Sequence, residues 1–229
     1  MLLALCLLCF LLFTALGVWQ AERREWKLDL IARVNARVAA APTAVPPPSA
    51  WPNLDPAEIE YRRVRVTGVF LHERETLVDA LTERGPGSWV LTPLQTTAGI
   101  ILVNRGFVPP ERRPASTREP GQLQGPVSVT GLLRLSELKG RILRPNDPAQ
   151  NRWYSRDVAA ISAARRLRNP APFFIDADAS SNPGGLPLGG LTIIQFRNTH
   201  LVYALTWFAL AVLCAAGVVL LRKPAQDQP

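Results

Sequence analysis

The chain has only two histidines, and they stand in unlike surroundings. His200 closes the polar cluster Arg197-Asn-Thr-His200 and runs directly into the uncharged apolar stretch 201–221. A helix needs roughly 20 apolar residues to cross the hydrocarbon core, so His200 is expected at the mouth of a membrane span. A neutral imidazole there can ligate haem iron. Ionisable residues at spans are functional by default, because burying them is costly. The alternative is an interfacial histidine bonded to lipid head groups, with Tyr203 and Trp207 as aromatic anchors. Residue types alone leave these two readings level. His72, in Leu-His-Glu-Arg-Glu, reads as a solvated residue at a strand end or turn.

The remaining inventory is poor in catalytic groups. A Ser-His-Asp triad would have to use one of the two histidines, and no G-x-S-x-G elbow is present. HExxH and the glycine-rich phosphate-binding patterns are missing from the sequence. Asp176 and Asp178 could form a carboxylate pair, but at spacing two beside a loop they read as solvated turn residues. The three cysteines, Cys6, Cys9 and Cys214, all lie in apolar segments, so the part between carries no disulfide and no thiolate metal site. The expectation is a protein without a reaction of its own.

Positioning His200 requires a second membrane element. Met1 to Val18 is uncharged and apolar and ends in Trp19 and Gln20. It exceeds the usual signal-peptide core of about 7–15 residues and lacks a basic start, so it reads as an anchor. Two spans place both termini on one side. Arg222 and Lys223 after the second span favour an inside tail, whereas Arg23, Arg24 and Lys27 after the first favour an inside loop. Long loops translocate largely regardless of charge, which gives the tail more weight and puts the middle domain outside. The formal net charge of +8 is carried mostly by scattered Arg. No nucleic-acid-binding signature accompanies it, so the lipid bilayer is the expected counter-surface and nucleic acid is not.

The expected organisation is a first transmembrane helix at 1–20, an amphipathic stalk and Pro-rich linker at 21–52, a β-rich domain at 53–199, a second transmembrane helix at 200–221, and a tail at 222–229. In the stalk, Trp26, Leu30, Val34 and Val38 recur every fourth residue. The linker PTAVPPPSAWP reads as non-helical and semi-rigid. From Tyr61 the period becomes two, and strands are expected near 63–68, 76–78, 88–94, 100–108, 126–134, 173–175 and 191–196. Ile100 to Val103 reads as buried on both faces. Val64-Arg-Val-Thr-Gly68 recurs as Val127-Ser-Val-Thr-Gly131, two similar strands each ending in a glycine that permits a bend. One helix is expected at 157–168, with Val158, Ile161, Ala164 and Leu167 as its apolar stripe; ADASSNPGGLPLGG reads as a flexible loop. The fold class is therefore membrane-anchored α+β: two transmembrane helices flanking a mainly antiparallel, small barrel-like domain with one helix; small Greek-key barrels of the oligonucleotide/oligosaccharide-binding type use such bent strands.

Several segments, in order along most of the chain, resemble the Surfeit locus protein 1 family of haem–copper cytochrome c oxidase assembly factors. They are LGVWQAERREWK, YRRVRVTGVF, GSWVLTPLQT, GIILVNRGFVP, VTGLLR, NDPAQNRWYSRD, APFFID and GGLTIIQFRNTHLVYALTWFALA. Phe107 stands where the family usually has Trp. The resemblance implies a two-pass protein of the bacterial inner membrane with its main domain periplasmic, its tail cytoplasmic, and no catalysis. It implies delivery of haem a to oxidase subunit I, with haem A synthase as a second candidate partner. His200, in the NTHL segment, matches the proposed haem ligand of bacterial relatives, with Tyr203 and Trp207 as candidate pocket walls. The competing reading is a scaffold that stabilises subunit I without binding haem.

Overall fold

A computed structural model describes residues 1–138, 144–192, 194 and 196–222. The chain divides into two compact units, residues 1–35 with 194–229, and residues 36–193.

The first unit is built on α1 (Leu2–Ala39), whose last turns pass into the second unit, and on the C-terminal helix His200–Arg222. Both helices are long and apolar enough to cross a membrane. Leu5, Leu8, Leu11, Val212, Leu213 and Leu220 are all exposed. So much unpartnered apolar surface is what lipid-facing helices present and what soluble monomers avoid. The two helices run antiparallel. Cys6 lies against Gly217, Phe13 stacks on Trp207 with centroids 5.6 Å apart, and Gln20 meets His200. Gly17, Ala204 and Ala211 are buried, and the Phe208 ring occupies the space a Cβ on Gly17 would need. Small residues allow such close packing in lipid, where apolar burial supplies no drive. Past Gln20, α1 continues unbroken through the expected stalk. Of the apolar stripe there, Val34 is buried, whereas Trp26 is exposed beneath the Arg23 guanidinium, 4.4 Å from its ring.

The second unit contains β1 (Thr43–Ala44), α2 (Pro56–Ile59), β2 (Arg63–Phe70), β3 (Thr76–Thr82), β4 (Gly85–Thr96), β5 (Gly99–Val108), β6 (Pro126–Leu135), α3 (Val158–Ala164) and β7 (Pro170–Ala177). The sheet order is β1-β2-β6-β7-β5-β4-β3, and a further pairing of β2 with β4 closes β2-β6-β7-β5-β4 into a five-stranded barrel. Within that barrel only β5 and β7 pair parallel. The expected small, mainly antiparallel barrel is present.

The five-residue repeat pairs with itself. Val66 faces Val129 across β2 and β6, Val64 faces Gly131, and Gly68 faces Val127. Both central valines are buried in the same core, while Arg65, between Val64 and Val66, is exposed. Each glycine sits where its strand bends towards its other neighbour, β4 for Gly68 and β7 for Gly131. A Cβ on Gly68 would overlap the Gln95 carbonyl oxygen, and one on Gly131 the Asp176 carbonyl oxygen. Glycine is required there by close backbone approach.

Strand β5 is buried throughout after Gly99, as the Ile-Ile-Leu-Val run predicts. Ile101 and Val103 enter the barrel core with Phe173 and Ile175, while Leu102 points the other way into a second cluster with Phe174, Trp153, Val158 and Ile161. Period-two alternation thus feeds two cores, one inside the barrel and one beneath α3.

Four local expectations are corrected. The helix α3 ends at Ala164, because Arg166 takes a left-handed φ of 52°. Leu167 therefore packs from beyond the helix and Ala164 is exposed. The Pro-rich stretch belongs to the barrel unit. Its residues 43–44 pair with β2, and Pro48–Asn53 form a 3-10 helix that packs Trp51 edge-on against Phe173. Residues 191, 192, 194 and 196 are not in a strand, and 193 and 195 lie outside the described residues. The segment expected as a flexible loop is docked: Leu188 exchanges two backbone hydrogen bonds with Phe107, both 2.9 Å.

Candidate functional site

His200 is the first residue of the C-terminal helix, α4 (His200–Arg222), and is half-buried. Its Nδ1 lies 2.7 Å from Gln20 Oε1. An amide oxygen only accepts, so in the neutral imidazole this contact puts the proton on Nδ1 and the lone pair on Nε2. Among the described residues nothing bonds Nε2. A carbonyl-type acceptor on one imidazole nitrogen is the arrangement that orients a metal-ligating histidine and raises the basicity of the other nitrogen. Gln20 was legible as the polar end of the first span, and pairing it with His200 needs only that the spans run antiparallel.

Tyr203 and Trp207 share the helix face of His200 at spacings of three and seven, but their surroundings differ. Trp207 is half-buried against Phe13, and its indole Nε1 is buried with no partner among the described residues. Tyr203 is 53 % exposed. Beside His200, Leu201, Ala204, Leu205 and Phe208 line an apolar groove of about 340 Å3 with Glu22, Arg24 and Glu25 at its edge. His200, Tyr203 and Trp207 do not line this groove; of the groups present, the oriented His200 imidazole is the one that suits haem iron. Haem would supply a Lewis-acidic iron for the Nε2 lone pair, and no described cluster of His, Cys, Asp or Glu offers an alternative metal site.

The barrel carries the polar groups that the sequence reading placed in solvent. Asp176 is 2 % exposed. Its Oδ1 accepts from Asn104 Nδ2 at 2.7 Å and Arg156 Nη1 at 2.9 Å, and its Oδ2 accepts from Arg134 Nη1 at 3.0 Å. Arg156 also grips Glu137 through two nitrogens. Burial opposes the Arg156 charge, but Asp176 and Glu137 outweigh it and raise its pKa. Burial likewise pushes Glu137 up, and the bonds and charge of Arg156 outweigh this to hold it below the ordinary glutamate value. With both Asp176 oxygens bonded, this cluster locks β5, β6, β7 and the segment before α3, so Asp176 is a structural anchor. Asp178, two residues on, is half-buried and pairs with Arg63 at 2.6 Å.

The segment Val103-Asn-Arg-Gly106 does four jobs in four residues. Val103 fills the core, and Asn104 holds Asp176 and accepts from the Gly106 amide at 3.2 Å. Gly106 takes φ +129°, and a Cβ there would overlap the Leu188 carbonyl. Arg105, 3 % exposed, donates from Nη2 to the Gly121 carbonyl and lies 4.8 Å from the Phe70 ring centroid. Burial lowers its pKa to about 10. His72 is also not solvated: its Nε2 lies 2.9 Å from the Leu123 carbonyl oxygen, and its Nδ1 is buried without a partner. In the later motif, Asn146 Oδ1 accepts from the amides of Tyr154 and Ser155 at 2.7 and 3.1 Å, and Asp157 caps α3 through the Ala160 amide at 3.1 Å. These residues serve the fold.

A family model described as the SURF1 family matches residues 7–212. Human Surfeit locus protein 1 is 39 % identical over 217 residues, covering 86 % of this chain and 69 % of the human protein. A SURF1-like protein of Monosiga brevicollis is 40 % identical over 222 residues, covering 91 % and 82 %. A SURF1-like protein of Caenorhabditis elegans is 31 % identical over 220 residues, covering 86 % and 67 %. The match runs through both apolar helices and the whole barrel, and the chain belongs to the SURF1 family.

Proposed function

We propose that this member of the SURF1 family, a membrane-anchored assembly factor for cytochrome c oxidase, binds haem a through His200 and helps its insertion into oxidase subunit I. The observation that carries the haem reading is the half-satisfied imidazole. Gln20 fixes the proton on Nδ1 and leaves Nε2 with a free lone pair at the head of an apolar helix pair. Trp207 offers an indole donor without a partner, and Tyr203 stands at the outer side of the same face. A single protein ligand suits a carrier, which must load its haem and then release it.

The reading extends to topology and partners. The barrel lies on the periplasmic side of a bacterial inner membrane and the tail is cytoplasmic, a sidedness supported by Arg222 and Lys223. Subunit I is the receiving partner and haem A synthase the supplying one. No catalysis is assigned: the buried carboxylate of Asp176 is spent on holding strands together.

The test is expression together with haem A-synthesising enzymes, purification in detergent, and a visible spectrum. A Soret band with haem a in the pyridine extract supports the carrier reading. A colourless, folded protein that still co-purifies with subunit I rejects it in favour of a scaffold.

A further inference from the structure

Arg105 is a cation with one hand free. Its Nη2 is held by the Gly121 carbonyl, but its Nη1 is buried and has no partner among the described residues. Its carboxylate neighbours are already taken. Glu75 is bound by Arg118, with Nη1 to Oε2 at 2.9 Å, and Asp178 is bound by Arg63. Burial of the cation is costly, and it lowers the Arg105 pKa although the charge of Glu75 acts the other way.

Arg105 is among the residues that line a pocket of about 90 Å3 between β6 and the loop after β7. One wall is apolar, from Phe70, Leu123 and Val129; the other is polar, with Ser180, Asn182 and the Asp178 side. Ser180 is exposed, so the mouth is open to solvent while Arg105 forms the floor. A cation at the floor calls for an anion, and the apolar wall calls for a short carbon chain behind it. The small volume excludes bulky anionic groups and admits a planar carboxylate, which can bond the buried Nη1 once the Arg105 side chain turns towards the pocket.

We propose that this pocket binds a carboxylate carried on a short aliphatic chain, with Arg105 as its counter-charge. The site lies wholly within the barrel unit, and it stands or falls independently of haem at His200. The carboxylate can come from a small acid or from a glutamate side chain of a protein, and the two sources are separable.

The experiment titrates the full chain in detergent with propionate, propionamide and N-acetylglutamic acid amide at fixed ionic strength, by ligand-observed NMR. Propionate is expected to bind saturably, and Arg105→Gln to weaken it by about tenfold or more, the loss expected for a charge-assisted bond. Propionamide should bind much more weakly than propionate. Should Arg105→Gln fail to fold, Asp178→Asn decides: removing the rim carboxylate should tighten propionate several-fold. Arg65→Ser, an exposed change on β2, should leave binding unchanged. Tighter binding of the blocked glutamate than of propionate assigns the pocket to a protein side chain, and the reverse to a small acid. If propionate and propionamide bind alike, if neither binds, or if Asp178→Asn leaves or weakens affinity, water fills the pocket and the carboxylate site is wrong.

Discussion

Asp176 in the barrel and His200 at the head of α4 are both polar groups drawn away from water, and they are treated oppositely. Both oxygens of Asp176 are taken, by Asn104, Arg134 and Arg156. His200 has one ring nitrogen held by Gln20 and the other left open. A buried polar group that is fully bonded holds elements together; one with a spare lone pair or proton has room for a ligand. Arg105 falls between, with one nitrogen held and one free.

The largest expected effect breaks the saturated side. Asp176→Ala leaves Arg134 and Arg156 buried without their shared counter-charge, which should cost about 3–5 kcal/mol. Denaturant unfolding in detergent, or loss of protease resistance, reads it. Asp178→Asn, removing a half-buried surface pair, should cost at most about 1 kcal/mol. Equal effects would mean that the cluster does not anchor the barrel.

Next is the self-paired repeat. Val66→Asp puts a charge without a partner into the barrel core and should abolish folding or cost several kcal/mol. Arg65→Ser on the opposite face should stay within about 0.5 kcal/mol. Comparable losses at both positions would contradict the Val66–Val129 register.

The smallest effect is acidic. Because Glu137 is held below its ordinary value by Arg156, its contribution to stability is complete above the unfolded-state value. It is lost as pH falls through the lowered folded-state value. Glu137→Gln should therefore lose less stability than wild type between neutral pH and the acid side of that window. A parallel loss in both proteins would place the acid sensitivity elsewhere.

Much of the fold was legible because its signals are local. Period-two alternation located β2, the continuous Ile-Ile-Leu-Val run located β5, the repeated Val-x-Val-Thr-Gly located β6, and two long uncharged runs located the membrane helices. What stayed hidden depends on contacts far apart in sequence. Asp176 looks like a turn residue until β5 and β6 bring Asn104 and Arg134 to it, 72 and 42 residues away. His72 looks solvated until Leu123 covers it. The Pro-rich stretch looks like a spacer until Trp51 finds Phe173. At the candidate site, His200 and Trp207 could be named from their place at a span, whereas Gln20, 180 residues from His200, needed the helix pair. Arg105 carries no local mark beyond the glycine that follows it.

The most direct test of the carrier reading is haem a occupancy in His200→Ala, measured beside wild type, Gln20→Leu and His72→Ala under haem a supply. Membrane abundance and protease resistance have to be followed in each variant. His200→Ala should lose bound haem a while remaining inserted and folded. Gln20→Leu should keep haem with weakened retention or a shifted Soret band, since the ring loses its orienting acceptor. His200→Met should retain some haem with a shifted band, because a thioether also ligates iron. His72→Ala should leave the spectrum of the haem it carries unchanged. Full haem occupancy and an unaltered spectrum in His200→Ala would contradict the axial-ligand role.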